Sequence, residues 1–385
     1  MEKFPRTAGN FSTLPFDSST MSSFPRARAG LRTGAVLALT LVAGCAAQSA
    51  PGVSADEPTS PPTMTTAQAT QYPLTIDNCG RQITFDEPPS RVVLLNGTSV
   101  AEVESFITLG IEDRILANSQ SYGVSDDPDM VDRVAAVPTG DLKLNENFEV
   151  PREQVLALEP DLVISTWAGG FDDKIGSVNR DQLDQAGINS FVTPANCAYG
   201  APEARPEDQE RYDNQSVESS FELLLALGEI FDVQKVAADH VNQARATLAD
   251  ITDKVAGKEP KSVLVAYPGM SMMNNNGLPA VFGGGIYDDI IERAGGVNAF
   301  AGRSTAELSE INAEALASAD VDVLVIGMFQ PDEDGELLAE DLFEKFPGWE
   351  ASKSRTFTTV SDGFYLGPLN TIAVGKISDA AHGKS

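Results

Sequence analysis

Residues 153–165, EQVLALEPDLVIS, and residues 314–327, EALASADVDVLVIG, are one unit written twice. Each copy opens on a glutamate and runs through a short helix-like stretch. Each reaches an aspartate eight positions on, Asp161 and Asp322, and then passes into Leu, Val and Ile. A helix that hands over to an apolar strand is a building block of a parallel sheet covered on both faces. Two copies at matching places predict two α/β lobes that carry the same helix–strand module.

The flanking sequence supports that frame. YPLTIDNCGRQITF alternates apolar and polar residues on both sides of Asn78-Cys79-Gly80, a hairpin signal. RVVLL (91–95), RILAN, DLVIST and INSFVTP read as strands. SVAEVESFITLG, PREQVLALE and DQLDQAG read as the helices between them, the first stopping at Gly110 and the second opening on Pro151 in its first turn. From Ser216 the texture changes to two helical, proline-free runs. The second, VQKVAADHVNQARATLADITDKVAG, predicts about 24 helical residues, about 36 Å at 1.5 Å per residue. A helix that long can bridge two lobes. After Pro260 the strand–helix alternation restarts with SVLVAY, IYDDIIERAGG, INAEALASA and DVLVIGMF, and a closing helix is entered through Gly367-Pro368. The expected organisation is an N-terminal lobe at 72–232, an interlobe helix at 233–257 and a C-terminal lobe at 258–385.

The first 71 residues stand apart. Arg26, Arg28 and Arg32 precede GAVLALTLVAG, which ends at Cys45. A basic region, a short apolar core and small residues make a secretion signal, and the core is too short to span a bilayer. A signal that begins at Met21 has conventional proportions. LVAGC resembles a bacterial lipobox, which implies cleavage after residue 44 and lipid on the Cys45 sulfur. Residues 46–71 are rich in Ala, Ser, Thr and Pro and extend a flexible tether from Cys45. Its r.m.s. reach is about 25–30 Å. Cys79 and Cys197 remain; an even pair outside the cytoplasm favours a disulfide over two buried thiols.

Charge and motifs narrow the function. The chain carries a formal charge of −29, and loss of residues 1–44 makes it −32. Nucleic acid needs clustered Lys and Arg and is excluded as a partner. His240 and His382 are the only histidines, which excludes sites built on several. Phosphate-loop, zinc-protease and nucleophile-elbow motifs are absent, so no catalytic residue, cofactor or metal ligand is nominated. VFGGGIYDD lacks dinucleotide spacing and reads as a turn. PDEDGELLAED has Gln330 where a calcium loop needs its first ligand, and reads as a solvated loop.

The order of RQITFDEPPSRVVLLN, EQVLALEPDLVIS, the long helix, VLVAYPG, INAEALASADVDVLVIG and YLGPLN resembles the Fe/B12 type of ABC-importer solute-binding lipoprotein. The resemblance runs from Tyr72 to the end of the chain. It implies two Rossmann-like lobes joined by one rigid helix (a class III solute-binding protein). It also implies a monomer that binds a ferric siderophore, cobalamin or haem in the interlobe cleft. The partners implied are an ABC permease dimer with its ATPase, met at the outer face of the membrane that holds the lipid anchor. Each lobe of that family presents a glutamate to basic residues of the permease. The offset before Pro160-Asp161 carries the first onto Glu153, and the same offset before Val321-Asp322 carries the second onto Glu314. The alternative is two ordinary acids at helix N-termini, favoured there by the helix dipole.

Cleft ligands sit beyond strand C-termini. That nominates Asn96, Tyr122, Trp167 and Tyr199 from the first lobe, and Tyr267, Met272, Phe329 and Tyr365 from the second. Aromatic residues with few charges suit a large, partly apolar chelate. An anionic catecholate chelate would want arginines, and only Arg205 and Arg211 lie in a plausible loop, so a neutral or cationic hydroxamate chelate is expected. Two other functions compete: an exported α/β enzyme and a lipoprotein that binds a partner protein without transport.

Overall fold

A computed structural model describes residues 69–384, apart from 98, 121–122 and 274–275 and the side chains of 272 and 273. The signal segment, Cys45 and the tether up to 68 lie outside the described residues, as does Tyr122.

In the first half, strands β1 (Leu74–Asn78), β2 (Arg81–Phe85), β3 (Val92–Leu94), β4 (Ile115–Asn118), β5 (Leu162–Ser165) and β6 (Asn189–Val192) alternate with helices from β3 onward. Those helices are α1 (Ala101–Leu109), α2 (Pro128–Ala136), α3 (Arg152–Ala157), α4 (Arg180–Gln185), α5 (Pro206–Asp213) and α6 (Val217–Ile230). Then α7 (Gln234–Val255) leads to β7 (Lys261–Tyr267), β8 (Ala280–Phe282), α8 (Gly285–Arg293), β9 (Gly296–Asn298), α9 (Thr305–Ser309) and α10 (Ala313–Ala317). The chain finishes with β10 (Val323–Gly327), α11 (Gly335–Lys345), α12 (Glu350–Ser354), β11 (Phe357–Val360) and α13 (Asn370–His382).

β1 and β2 form the antiparallel hairpin. β3 to β6 form a parallel sheet in the order β4-β3-β5-β6. The second sheet runs β11-β10-β7-β8, with β9 also on β7. In each sheet the lobe's first strand lies inside, with later strands on both sides of it, which creates a switch point beside that strand. One strand departs from the all-parallel expectation: β8 is antiparallel to β7. It returns from the loop after β7 directly, without a crossover helix.

Side chains of the central strands alternate between two burials, as period two requires. Val92, Leu94, Leu162 and Ile164 face one core, and Val93, Leu95 and Val163 the other. In the second sheet Val263, Val265, Val323 and Val325 join the same core as the first set, while Leu264, Ala266, Leu324 and Ile326 face a third. One apolar cluster therefore runs through both sheets. α1, α6, α7, α8 and α13 fill the space between them.

α7 has 22 residues, about 33 Å. Its buried positions are Ala237, Val241, Ala244, Leu248 and Val255, a single stripe at helical spacing. Near its start the Gly228 backbone passes so close to Ala237 that an added Cβ would lie 2.6 Å from that methyl. The folded body begins slightly before Tyr72: the Thr70 N–H donates to Asp232 and its hydroxyl to the Glu229 carbonyl.

Two expectations are corrected here. Pro151 is the N-cap of α3 and stands before its first turn. PDEDGELLAED is helical from Gly335, because the Asp334 carboxylate caps the amides of Glu336 and Leu337 and the acids suit the positive helix end. Its Glu333 is also structural, accepting from the N–H groups of Phe329 and Gln330 just beyond β10.

Candidate functional site

The repeated unit has a structural meaning at its aspartates. Asp161 accepts from the Ser90 N–H and hydroxyl and from the Arg91 N–H, and its own N–H donates to the Arg91 carbonyl. Asp322 accepts from the Ser262 N–H and returns a bond to the Ser262 carbonyl. Each aspartate thus ties its strand to the start of the lobe's first strand. The Arg91 guanidinium adds bonds to the carbonyls of Leu158 and Glu159 and closes the end of α3.

The glutamates occupy equivalent places. Glu153 lies in the first turn of α3 and Glu314 in the first turn of α10. Both are exposed. Glu153 pairs with Arg152 at 3.0 Å, and its own backbone N–H together with Arg152 holds its carboxyl below the usual range. Glu314 shares a surface groove with Phe300, Arg303, Asn312 and Asp320.

Where the sheets end, aromatic side chains gather. Trp167 directly follows β5, and its ring fills space left by Gly169 and Gly200, where a Cβ would come within 2.4 Å of it. Tyr199 lies 5.0 Å from the Trp167 ring, and Tyr212 stacks on Tyr199 at 5.5 Å. The second lobe supplies a matching series: Tyr267 edge-on to Phe282 (5.0 Å), Phe282 stacked on Tyr287 (5.2 Å) and Tyr287 on Phe364 (4.9 Å). Burial pushes the phenols of Tyr267, Tyr287 and Tyr365 well up, and the phenols of Tyr199 and Tyr212 add to the effect at Tyr287. The two series thus lie within electrostatic reach of each other.

The nominated residues divide accordingly. Trp167, Tyr199 and Tyr365 belong to this aromatic region, Trp167 and Tyr365 half-buried and Tyr199 exposed. Tyr267 is wholly buried beside Gly327. Asn96 is buried beyond β3 and donates to the Phe148 carbonyl at 2.7 Å. The Phe329 carbonyl accepts from the Gly123 N–H at 2.8 Å, a bond between lobes. Met272 lies in the turn Pro268–Met273 after β7, and its side chain is outside the described residues. Tyr212, Phe282, Tyr287 and Phe364 are the aromatics of this region that the sequence reading does not nominate. Tyr212 and Tyr287 sit on helices, Tyr287 in the first turn of α8 shortly after β8.

Below the aromatic region lies a polar seam. Gln120 and Thr193 donate to the buried Glu102 carboxylate. Asp126, from the first lobe, accepts from the N–H groups of Ser361 and Gly363 and pairs with Lys376 at 2.6 Å. Val124 donates to the Ser361 hydroxyl. Glu104 and Asp362 are buried beside this bolt, and their carboxylate oxygens lack hydrogen-bond partners among the described residues. Burial pushes Glu104 up to about 8 and Asp362 well above the ordinary range. Arg205 and Arg211 are in α5 and its N-cap; they are not in a cleft loop. Arg205 is held by Asp208, Asp77 and Glu207. Asp77 belongs to the hairpin, as does Cys79, which is disulfide-bonded to Cys197 with Cα atoms 5.1 Å apart. His240 sits inside α7 and His382 on the Gly295 carbonyl. Among the described residues no group of three or more His, Cys, Asp or Glu is arranged to hold a metal ion.

Two α/β sheets, each with its first strand inside, and a single long helix between them define the fold of a class III solute-binding protein. The family model described as periplasmic binding protein matches residues 96–355. The chain belongs to that family, the substrate-binding components of ABC importers; it works outside the cytoplasm and is a transport protein, not an enzyme. The fold is shared with a protein of an ABC-type Fe3+-hydroxamate transport system from Saccharomonospora viridis (23% identity, 80% of this chain and 99% of that one, TM-score 0.58). It is also shared with a periplasmic binding protein from Veillonella parvula (18%, 81% and 98%, 0.61) and the periplasmic heme-binding protein RhuT from Roseiflexus sp. (19%, 76% and 97%, 0.52). No curated protein matches the chain.

Proposed function

We propose that the protein captures a ferric siderophore of the hydroxamate class in its interlobe cleft and delivers it to a permease, while lipid on Cys45 holds it at the membrane. The ligand class is supported by the side chains gathered near the strand ends. Aromatic rings gather there, Asp362 of the acid seam acts on Tyr365, and Arg205 is committed to three acids elsewhere. Rings and acids welcome a neutral or cationic chelate and disfavour an anionic catecholate, since Lys376 in the seam is held by Asp126. The stacked pair Phe282–Tyr287 supports a second reading, a flat macrocycle such as haem or the corrin of cobalamin.

Purified protein titrated with a ferric trihydroxamate, a ferric catecholate, haem and cobalamin decides between them. Sub-micromolar binding of the trihydroxamate alone is expected, with quenching of Trp167 that Trp167→Phe removes; Trp349 is buried in the far core and should not respond. Tight binding of haem or cobalamin alone moves the assignment to the macrocycle. Binding of none of the four sinks the iron-chelate reading. For the anchor, Cys45→Ser should move the protein from the membrane to the soluble fraction.

A further inference from the structure

The hairpin β1–β2 stands outside both parallel sheets, yet its tip takes hold of the segment that carries Tyr199. Asn78 grips the end of β6: its Nδ2 donates to the Val192 carbonyl at 2.8 Å, and its Oδ1 accepts from the Val192 N–H at 2.9 Å. Cys79 is disulfide-bonded to Cys197. The Arg205 guanidinium pairs with Asp77 at 3.2 Å, and its side chain passes 3.3 Å from the place a Cβ on Gly80 would take. The tip thus holds the segment before, within and after the run from Cys197 to Arg205.

The turn is built around the bond to Cys197. Asn78 pairs with Arg81, so Cys79 and Gly80 are the two turn residues, with φ of 56° and 78°. A two-residue turn with both φ positive favours asparagine or aspartate followed by glycine. Gly80 meets that preference and Cys79 departs from it. A turn required only to close the hairpin gains nothing from cysteine, and the disulfide accounts for it.

The segment so held carries the first lobe's aromatic series. The Tyr199 carbonyl accepts from the Gly169 N–H at 3.1 Å, and its ring lies 5.0 Å from that of Trp167. Arg205 is the N-cap of α5, and α5 brings Tyr212 onto Tyr199. The Tyr199 phenol lies within electrostatic reach of those of Tyr287 and Tyr365 in the second lobe. On its inner side the segment is held through Asn196, which donates to the Thr166 carbonyl at 2.8 Å and accepts from Gln215 at 2.6 Å. Those bonds stop short of Cys197, where the grip of the hairpin begins.

We propose that the hairpin tip is a positioning clamp for the ligand site: through Asp77, Asn78 and Cys79 it sets where Tyr199 and Tyr212 stand against Trp167. The inference rests on the chelate-binding reading above and adds residues that act on the ligand through those rings.

The test compares wild type, the double variant Cys79→Ser with Cys197→Ser, and Asp161→Ala, a destabilised control that leaves the clamp whole. The readouts are affinity for a ferric trihydroxamate, a ferric catecholate, haem and cobalamin, and acrylamide quenching of tryptophan fluorescence in the ligand-free protein. The double variant should bind the wild-type ligand about 5–20-fold more weakly, because rings released from the clamp must be ordered again on binding. Its Trp167 should be quenched more readily, while buried Trp349 stays shielded. Asp161→Ala should lower Tm and keep affinity within about twofold. If the double variant loses Tm alone and keeps both affinity and quenching, the disulfide is a staple and the inference falls. If Asp161→Ala loses as much affinity as the double variant, the loss follows stability and the inference also falls. Should the double variant fail to fold, Asp77→Asn keeps the disulfide and releases the Arg205 end; a loss of about two- to fourfold with readier quenching is expected, and no change in either overturns the clamp. A wild type that binds none of the probes overturns the chelate reading, and the Trp167 quenching then decides the positioning by itself.

Discussion

At the residue scale, the most informative pair is Asp161 and Asp322. The spacing Glu-x7-Asp shows the repeat in the sequence, and the structure gives the aspartates a job that the spacing does not reveal. Each fastens its own strand to the lobe's first strand beside it. The bonds differ in number: three donors converge on Asp161 and one reaches Asp322 at 3.1 Å. Removing a carboxylate strands backbone N–H groups that had a charged acceptor. Asp161→Ala should therefore destabilise by about 1–3 kcal/mol and Asp322→Ala by about 1 kcal/mol or less. Urea unfolding of both variants measures the difference, and equal losses would remove the argument. Residue identity was the least legible layer of the cleft. Tyr267 ends β7 and Trp167 stands two residues past β5, yet Tyr267 lies at 0% exposure in the shared core. Sequence places a residue at a strand end; which face it then takes depends on the neighbour across the lobe.

At the element scale, strands and long helices were readable because their apolar periods are strong. Every strand of the first sheet and both long helices fall where the period puts them. The elements that escape such a reading are short and polar. α2 has no fully buried residue and rests only Met130 and Val134 on the core, and α5 buries only Asp208, so the apolar signal of both is slight. What starts them is local chemistry: Asp127 caps α2 ahead of Pro128, and Pro206 opens α5. The docking proposal also belongs to this scale, since it concerns two equivalent helix ends. Glu153 and Glu314 head α3 and α10, each next to a strand that the repeated aspartate pins. Acids on two rigid first turns can meet two basic sites on a two-fold partner. Glu153→Ala with Glu314→Ala should leave chelate affinity within about twofold and cut permease-dependent uptake by about tenfold or more. Unchanged uptake in the double variant would reduce both residues to ordinary helix-end acids.

At the scale of the molecule, one apolar cluster joins the lobes and a seam of acids lies within the joint. The groups that face one another there are Glu102 and Glu104 from α1, Asp126 and Asp127 from the segment before α2, Asp362 from the turn after β11 and Lys376 from α13. Glu104 titrates at about 8 because it is buried, against 4.5 for a free glutamate. Between those values the folded protein keeps a proton that the unfolded chain has released. The stabilisation is thus complete below about pH 4.5 and is lost as pH rises to about 8. Glu149, raised by burial to about 7, adds a contribution of the same sign over much of the same range. Unfolding free energy should fall by a few kcal/mol between about pH 5.5 and 8.5, since each tenfold change in proton affinity on folding is worth about 1.4 kcal/mol. Glu104→Gln keeps the shape of the protonated acid and cannot ionise, so its curve should be flatter by the Glu104 share. Parallel curves for the two proteins would mean that Glu104 ionises as freely in the fold as outside it. A flatter variant curve would place the pH response in the joint, where ionising Glu104 sets it against Asp126 and Asp362 and weakens the bonds of Asp126 to Ser361, Gly363 and Lys376.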